Sequence, residues 1–182
     1  FLIGCDVEDP LLEDVPEIVT KVVLQFDDGS GNVVVATAND PDGEGIADLV
    51  VDGEAVLQPN ATYVLTISLF NELAEPSSPE YDVSSVVVQE GEEHLFYFGW
   101  TNNIFIDPPG DGNIDARPDQ VNYTDADEES LPLGLTTRWT TGSSAAGILR
   151  IVLKHQPGLK SENSSSEEGE TDVDVSFPIR IP

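Results

Sequence analysis

The chain has two histidines, and each stands at one end of an alternating run. His94 opens HLFYFGW, in which Phe96, Phe98 and Trp100 share its face; His155 closes GILRIVLKH, in which Leu149, Ile151 and Leu153 share its face. If the two runs are antiparallel neighbours, the start of one lies beside the end of the other, and the imidazoles meet. A last strand returning from His155 as a long hairpin would bring Glu170 and Asp172 to the same end, with Glu92 and Glu93 nearby. Two imidazoles with carboxylates suit zinc, or copper or nickel in a less restrictive geometry. The plain alternative is that each ring hydrogen-bonds separately at the rim of a core.

Two acid-rich stretches raise a second cation chemistry. In DPDGEG, Asp40, Asp42, Glu44 and Gly45 match positions one, three, five and six of a calcium-binding loop, but Val51 stands where the closing glutamate belongs. In DPPGDGNID, Asp107, Asp111, Gly112 and Asp115 fit the same template, while Pro109 removes one carboxylate and Pro118 holds the closing position. Asp119 could close that loop instead, because hard cations need clustered oxygens more than one fixed spacing. Asx-rich turns of this kind also form without any ion.

No catalytic set emerges. The chain has no G-x-S-x-G elbow, no H-E-x-x-H and no phosphate-binding glycine loop. Its many acids select no pair for glycoside hydrolysis. Trp100, Trp139, Tyr97, Tyr123 and Phe105 would suit a ligand platform, but aromatic residues in strands more often build a core. The expectation is a binding protein and not an enzyme.

The elements that must position these residues read as strands. Val22, Leu24 and Phe26 alternate with polar neighbours, as do Tyr63, Leu65, Ile67 and Leu69, and Val173, Val175, Phe177, Ile179 and Ile181. Further runs are Val33 to Asn39, Ile46 to Val51, His94 to Trp100, Leu133 to Thr140 and Gly147 to His155, separated by Gly, Pro, Asn, Asp and Ser clusters. Pro178 places the last strand near an edge. No segment carries a helical period. Short strands with turn-rich links predict an all-β, antiparallel β-sandwich, immunoglobulin-like or jelly-roll-like. Two long loops, residues 102–130 and 158–170, interrupt it, and the second is polar enough to be mobile.

Ahead of this domain, at residues 17–182, stands FLIGCDVEDP. Leu2-Ile3-Gly4-Cys5 resembles a bacterial lipobox, which implies cleavage after Gly4, lipidation of Cys5, and residues 1–4 as a signal-peptide remnant. Residues 5–16 then read as an acidic tether. The stretches ANDPDGEG, ATYVLTISLFNE, GEEHLFYF, PLGLTTRWTTG, LKHQP and GETDVDVSFPI resemble a group of small lipoproteins of Bacteroidota, often labelled type 1 periplasmic-binding-fold proteins and commonly encoded beside TonB-dependent outer-membrane receptors. The resemblance implies an outer-membrane location through the lipid anchor alone, with the receptor as partner. It supplies no agreed activity, and the period-two pattern sets the fold expectation in place of the label.

Charge narrows the remaining classes. With 35 acidic against 7 basic side chains, the net charge is -28, which repels phosphate backbones and leaves nucleic-acid binding without an electrostatic basis. Such a surface resembles proteins of salt-rich cells, where screening tolerates dense negative charge. The sequence therefore predicts a lipid-anchored envelope protein that assists a TonB-dependent uptake system by capturing a metal ion or metal complex. The alternative is a structural or adhesive surface module with calcium-binding acidic loops.

Overall fold

The computed structural model describes residues 17–40 and 49–182. Cys5 and the tether behind it, Asp42, Glu44, Gly45 and the first half of the expected strand Ile46 to Val51 lie outside the described residues.

Among the described residues, period-two alternation becomes ten strands: β1 (Lys21–Asp27), β2 (Val33–Asn39), β3 (Val50–Val51), β4 (Ala55–Val56), β5 (Thr62–Phe70), β6 (His94–Trp100), β7 (Phe105–Asp107), β8 (Thr136–Thr141), β9 (Ala145–His155) and β10 (Glu170–Ile181). They form a six-stranded sheet, β3-β2-β1-β5-β8-β7, and a four-stranded sheet, β4-β10-β9-β6. Every pairing is antiparallel except the short parallel contact of β4 with β10 at Ile179 and Arg180. The inner faces merge into one core, with Leu24 and Leu65 from the larger sheet meeting Phe96, Leu149 and Val175 from the smaller. The chain is thus an all-β sandwich. Trp139 centres the aromatic part of the core, its ring 4.7 Å from Phe105, 5.1 Å from Trp100 and 5.5 Å from Phe98. The platform aromatics other than half-buried Tyr123 are buried, and the Tyr123 hydroxyl donates to the Phe96 carbonyl at 2.7 Å.

Two features depart from the sequence reading. One is a helix, α1 (Val83–Gln89), between β5 and β6. Its β-branched sequence VSSVVVQ disguises it, yet Val83 and Val87 are buried one helical turn apart and Asp82 caps its N-terminus through the Ser85 N–H. The Ser84 hydroxyl also takes the Leu69 N–H at 2.7 Å, fastening α1 to β5. Docking therefore overrides the weak propensity of valine.

The other departure concerns the long loops, which lie against the outer face of the smaller sheet. Leu95, Tyr97 and Val152 form a second apolar cluster there, covered by Ile114 and Tyr123. The Tyr97 hydroxyl donates to the Ser164 carbonyl at 2.9 Å, and the Gln156 amide donates to the carbonyls of Ser165 (2.8 Å) and Glu168 (3.0 Å). In the polar 158–170 loop the carbonyls of Ser164, Ser165 and Glu168 are thus held by the buried side chains of Tyr97 and Gln156. At the β6 edge the cover comes from Gly112, whose φ of +106° and missing Cβ let the backbone lie against Phe98.

Candidate metal centre

The β6–β9 register sets His94 directly opposite His155, and β9–β10 sets His155 opposite Glu170. The imidazoles stack with centroids 4.6 Å apart and planes 8° from parallel. Both histidines are buried at the rim of the inner face. Gly169 makes the return of the chain close enough: at φ +73° it sits where a Cβ would collide with the His155 carbonyl.

The carboxylates arrive by three routes. Glu90 ends α1, and the turn from Glu90 to Glu93 closes through Glu93 N–H to Glu90 carbonyl at 2.9 Å. Ligand atoms of Glu90, His94 and His155 lie within 4.8 Å of one another, the one such three-residue group among the described residues. Glu93 Oε2 accepts from His155 Nε2 at 3.2 Å and so orients that ring. Asp172 comes from a bulge: β10 slips between Thr171 and Val173, and the extra residue turns into the interior.

The two histidines are not equivalent. His94 Nδ1 lies 3.0 Å from the Glu90 carbonyl. A carbonyl only accepts, so Nδ1 carries the proton and Nε2 presents its lone pair. That Nε2 lies 3.7 Å from Asp172 Oδ2, beyond hydrogen-bond reach, with both side chains fully buried. His94 Nε2 and both Asp172 oxygens have no hydrogen-bond partner. Burial lowers the His94 pKa to about 4, against the weaker upward pull of its bond to Glu90. It raises that of Asp172 to about 7, against the pull of His155. Glu17 is also raised, by burial and then by Glu90, although His155 opposes the shift.

Of the four residues expected to hold a transition metal, the structure pairs His94 with His155 and sets Asp172 beside His94, although Asp172 is outside the three-residue ligand group. Glu170 is exposed and lies outside the three-residue group. Glu92 is also exposed. Sequence reading missed Glu90, because it sits at the end of the unexpected helix. The available signal was the Val83/Val87 spacing that places a helix end at Glu90. Two nitrogens on one tetrahedral ion stand about 3.4 Å apart, which falls within the 4.8 Å that encloses the ligand atoms here.

The calcium candidates behave differently. Asp40 is buried, and its N–H donates to the Thr20 carbonyl at 2.8 Å. Asp107, Asp111, Asp115 and Asp119 are exposed, and among the described residues they form no three-ligand group. Asp107 accepts from the Asn122 amide at 3.1 Å, and the Asp111 carbonyl accepts from the Trp100 N–H at 2.8 Å. Both contacts fasten the loop in place.

Fold and site together define a β-sandwich with an imidazole–carboxylate cluster at one rim. Comparison with protein-family models, with curated proteins and with solved structures returned no match.

Proposed function

We propose that this protein captures a divalent transition metal at the His94–His155 rim and serves as a lipid-anchored accessory to a TonB-dependent outer-membrane receptor. The observation that carries the metal reading is the direct cross-strand pairing of the two imidazoles, with a Glu90 ligand atom within 4.8 Å of theirs. Imidazole nitrogen with carboxylate oxygen is the donor set of zinc and of copper. Exposed acids around the rim, Glu90 and Glu170 among them, favour arrival of a cation. The envelope assignment rests on the lipobox-like Leu2-Ile3-Gly4-Cys5 and on the resemblance to receptor-associated lipoproteins. A lipid anchor holds the cargo site near a receptor and raises its effective concentration there. None of the described helices is long and apolar enough to cross a membrane.

Zinc and copper titrations of the wild type, His94→Ala and His155→Ala test the metal reading. Tight binding lost in both variants is the expected result. Unchanged affinity in either variant, or no transition-metal binding in the wild type, overturns it. Globomycin-sensitive processing and radiolabelled palmitate on Cys5 test the anchor, and co-purification with an outer-membrane receptor tests the partner.

A further inference from the structure

Asp172 and His94 pose a problem that the rest of the fold does not solve. The proton on His94 Nδ1 is committed to the Glu90 carbonyl, so a neutral ring turns a lone pair toward Asp172. An ionised Asp172 turns two acceptor oxygens into the same space, and a neutral one lies too far away, at 3.7 Å, to donate its proton to that lone pair. Both side chains are fully buried, and these three atoms have no donor. Acceptors facing each other in a dry interior are costly unless something positive lies between them.

We propose that His94 Nε2 and Asp172 Oδ2 form the inner half of the metal centre, so that Asp172, and not Glu90, supplies its principal carboxylate ligand. The cargo is then a bare divalent ion of the zinc type and not a metal chelate. This deepens the metal-capture reading and rests on it. The 3.7 Å gap fits the chemistry: with metal–nitrogen and metal–oxygen bonds of about 2.05 Å, an ion joining the two atoms subtends about 130°. That angle is nearer to tetrahedral than to the right angles of square-planar copper. A metal carrying an organic chelator cannot enter, because neither side chain is exposed to solvent. The burial gradient gives the order of events. Exposed Glu90 meets the hydrated ion, His155 stands at the boundary, and the ion sheds water as it reaches His94 and Asp172.

The β-bulge accommodates this arrangement. Thr171 pairs with Lys154 on the outer face, and Val173, not Asp172, pairs with Leu153 on the inner face. Asp172 is the inserted residue, so it and Val173 are both buried in succession. Bulges re-aim single side chains at functional sites.

The test uses the metal-free wild type, Asp172→Asn and Glu90→Gln, with zinc affinity read by competition and cobalt(II) as a visible-absorption probe. Asp172→Asn is expected to weaken zinc binding by about tenfold or more and to alter the cobalt spectrum, with Glu90→Gln staying within about threefold. Wild-type affinity in Asp172→Asn, or equal losses in the two variants, overturns the assignment while leaving metal capture standing. No zinc binding by the wild type removes both. If Asp172→Asn does not fold, carboxyl-carbon NMR of the wild type decides: the Asp172 signal must shift on zinc saturation and the Glu90 signal must not. Retention of a chelator with the loaded wild-type protein overturns the bare-ion cargo.

Discussion

The acidic loop at residues 102–130 and the histidine rim are both rich in carboxylates, yet they use them in opposite ways. In the loop, acids are given donors. Asp125 accepts the N–H groups of Gly134 (2.8 Å) and Thr136 (2.9 Å), and Asp127 accepts the Leu131 N–H and the Lys160 ammonium. At the rim, Asp172 and His94 Nε2 are buried without any. Satisfied acids hold a fold together, whereas unsatisfied buried ones store a cost that a ligand can relieve. Clustering in sequence therefore says less about function than the supply of donors does.

The largest effect expected on this contrast comes from Lys160. Its ammonium is buried and donates to Asp127 Oδ2 at 2.7 Å and to the Gly91 carbonyl at 2.6 Å, joining both long loops to the turn between Glu90 and Glu93. Burial lowers its pKa, and the bond to Asp127 opposes that shift. Lys160→Ala leaves Asp127 buried without its cation and should cost about 3–5 kcal/mol in urea unfolding. A loss below about 1 kcal/mol would mean that the loop acids are no better secured than those at the rim.

A pH series sharpens the same contrast from the rim side. The His94 pKa is depressed from 6.5 to about 4 in the folded state, so its contribution is complete above pH 6.5 and is lost as pH falls toward 4. The Asp172 pKa is raised from 3.8 to about 7, so its contribution is complete below pH 3.8 and is lost as pH rises toward 7. The two slopes oppose each other between pH 4 and 6.5, and each hides the other. In metal-free protein, Asp172→Asn should unmask stability that rises with pH across that window, and His94→Gln should unmask stability that falls with it. Each change relative to wild type is on the order of 3 kcal/mol across the window. Parallel wild-type and variant curves would show that the pair is not buried as described.

Much of this architecture was legible because period two is a strong signal. The runs from Val33 to Asn39 and from His94 to Trp100 coincide with β2 and β6, and antiparallel pairing of β6 with β9 brings the histidines together. Two things were hidden for physical reasons. α1 is written in β-branched residues and exists because Val83 and Val87 dock, so Glu90 had no visible reason to face His94. The bulge at Asp172 buries two successive residues, Asp172 and Val173, and local sequence carries no mark of it because the slip is set by pairing with β9.

A smaller loss tests the loop alone. Asp125→Ala removes the acceptor of two backbone N–H groups at the entry to β8 and should cost about 1–3 kcal/mol. It should leave zinc affinity unchanged, because the bonds of Asp125 run to Gly134 and Thr136 and the Lys160 link to the Glu90–Glu93 turn stays in place. A matching loss of zinc affinity would mean that the loop supports the rim through Asp125 as well as through the Lys160 link.

The smallest single-site effect belongs to the exposed ion pairs, and it separates screened charge from buried charge. Arg180 Nε meets Glu54 Oε2 at 2.6 Å and Lys21 meets Glu72 at 2.8 Å, with all four side chains substantially exposed. Arg180→Ala should change stability by no more than about 1 kcal/mol. With a net charge of -28, self-repulsion outweighs the few attractive pairs. Raising sodium chloride should therefore stabilise the protein, as the screening length contracts from about 10 Å at 0.1 M to about 3 Å at 1 M. Thermal melts across a salt series check this, and a melting temperature that does not rise would remove the salt-adapted reading of the surface. The pH-dependent difference between wild type and Asp172→Asn should survive at 1 M salt, because salt screens buried charges much less than exposed ones. If salt erased that difference, His94 and Asp172 would belong with the solvated acids of the loop.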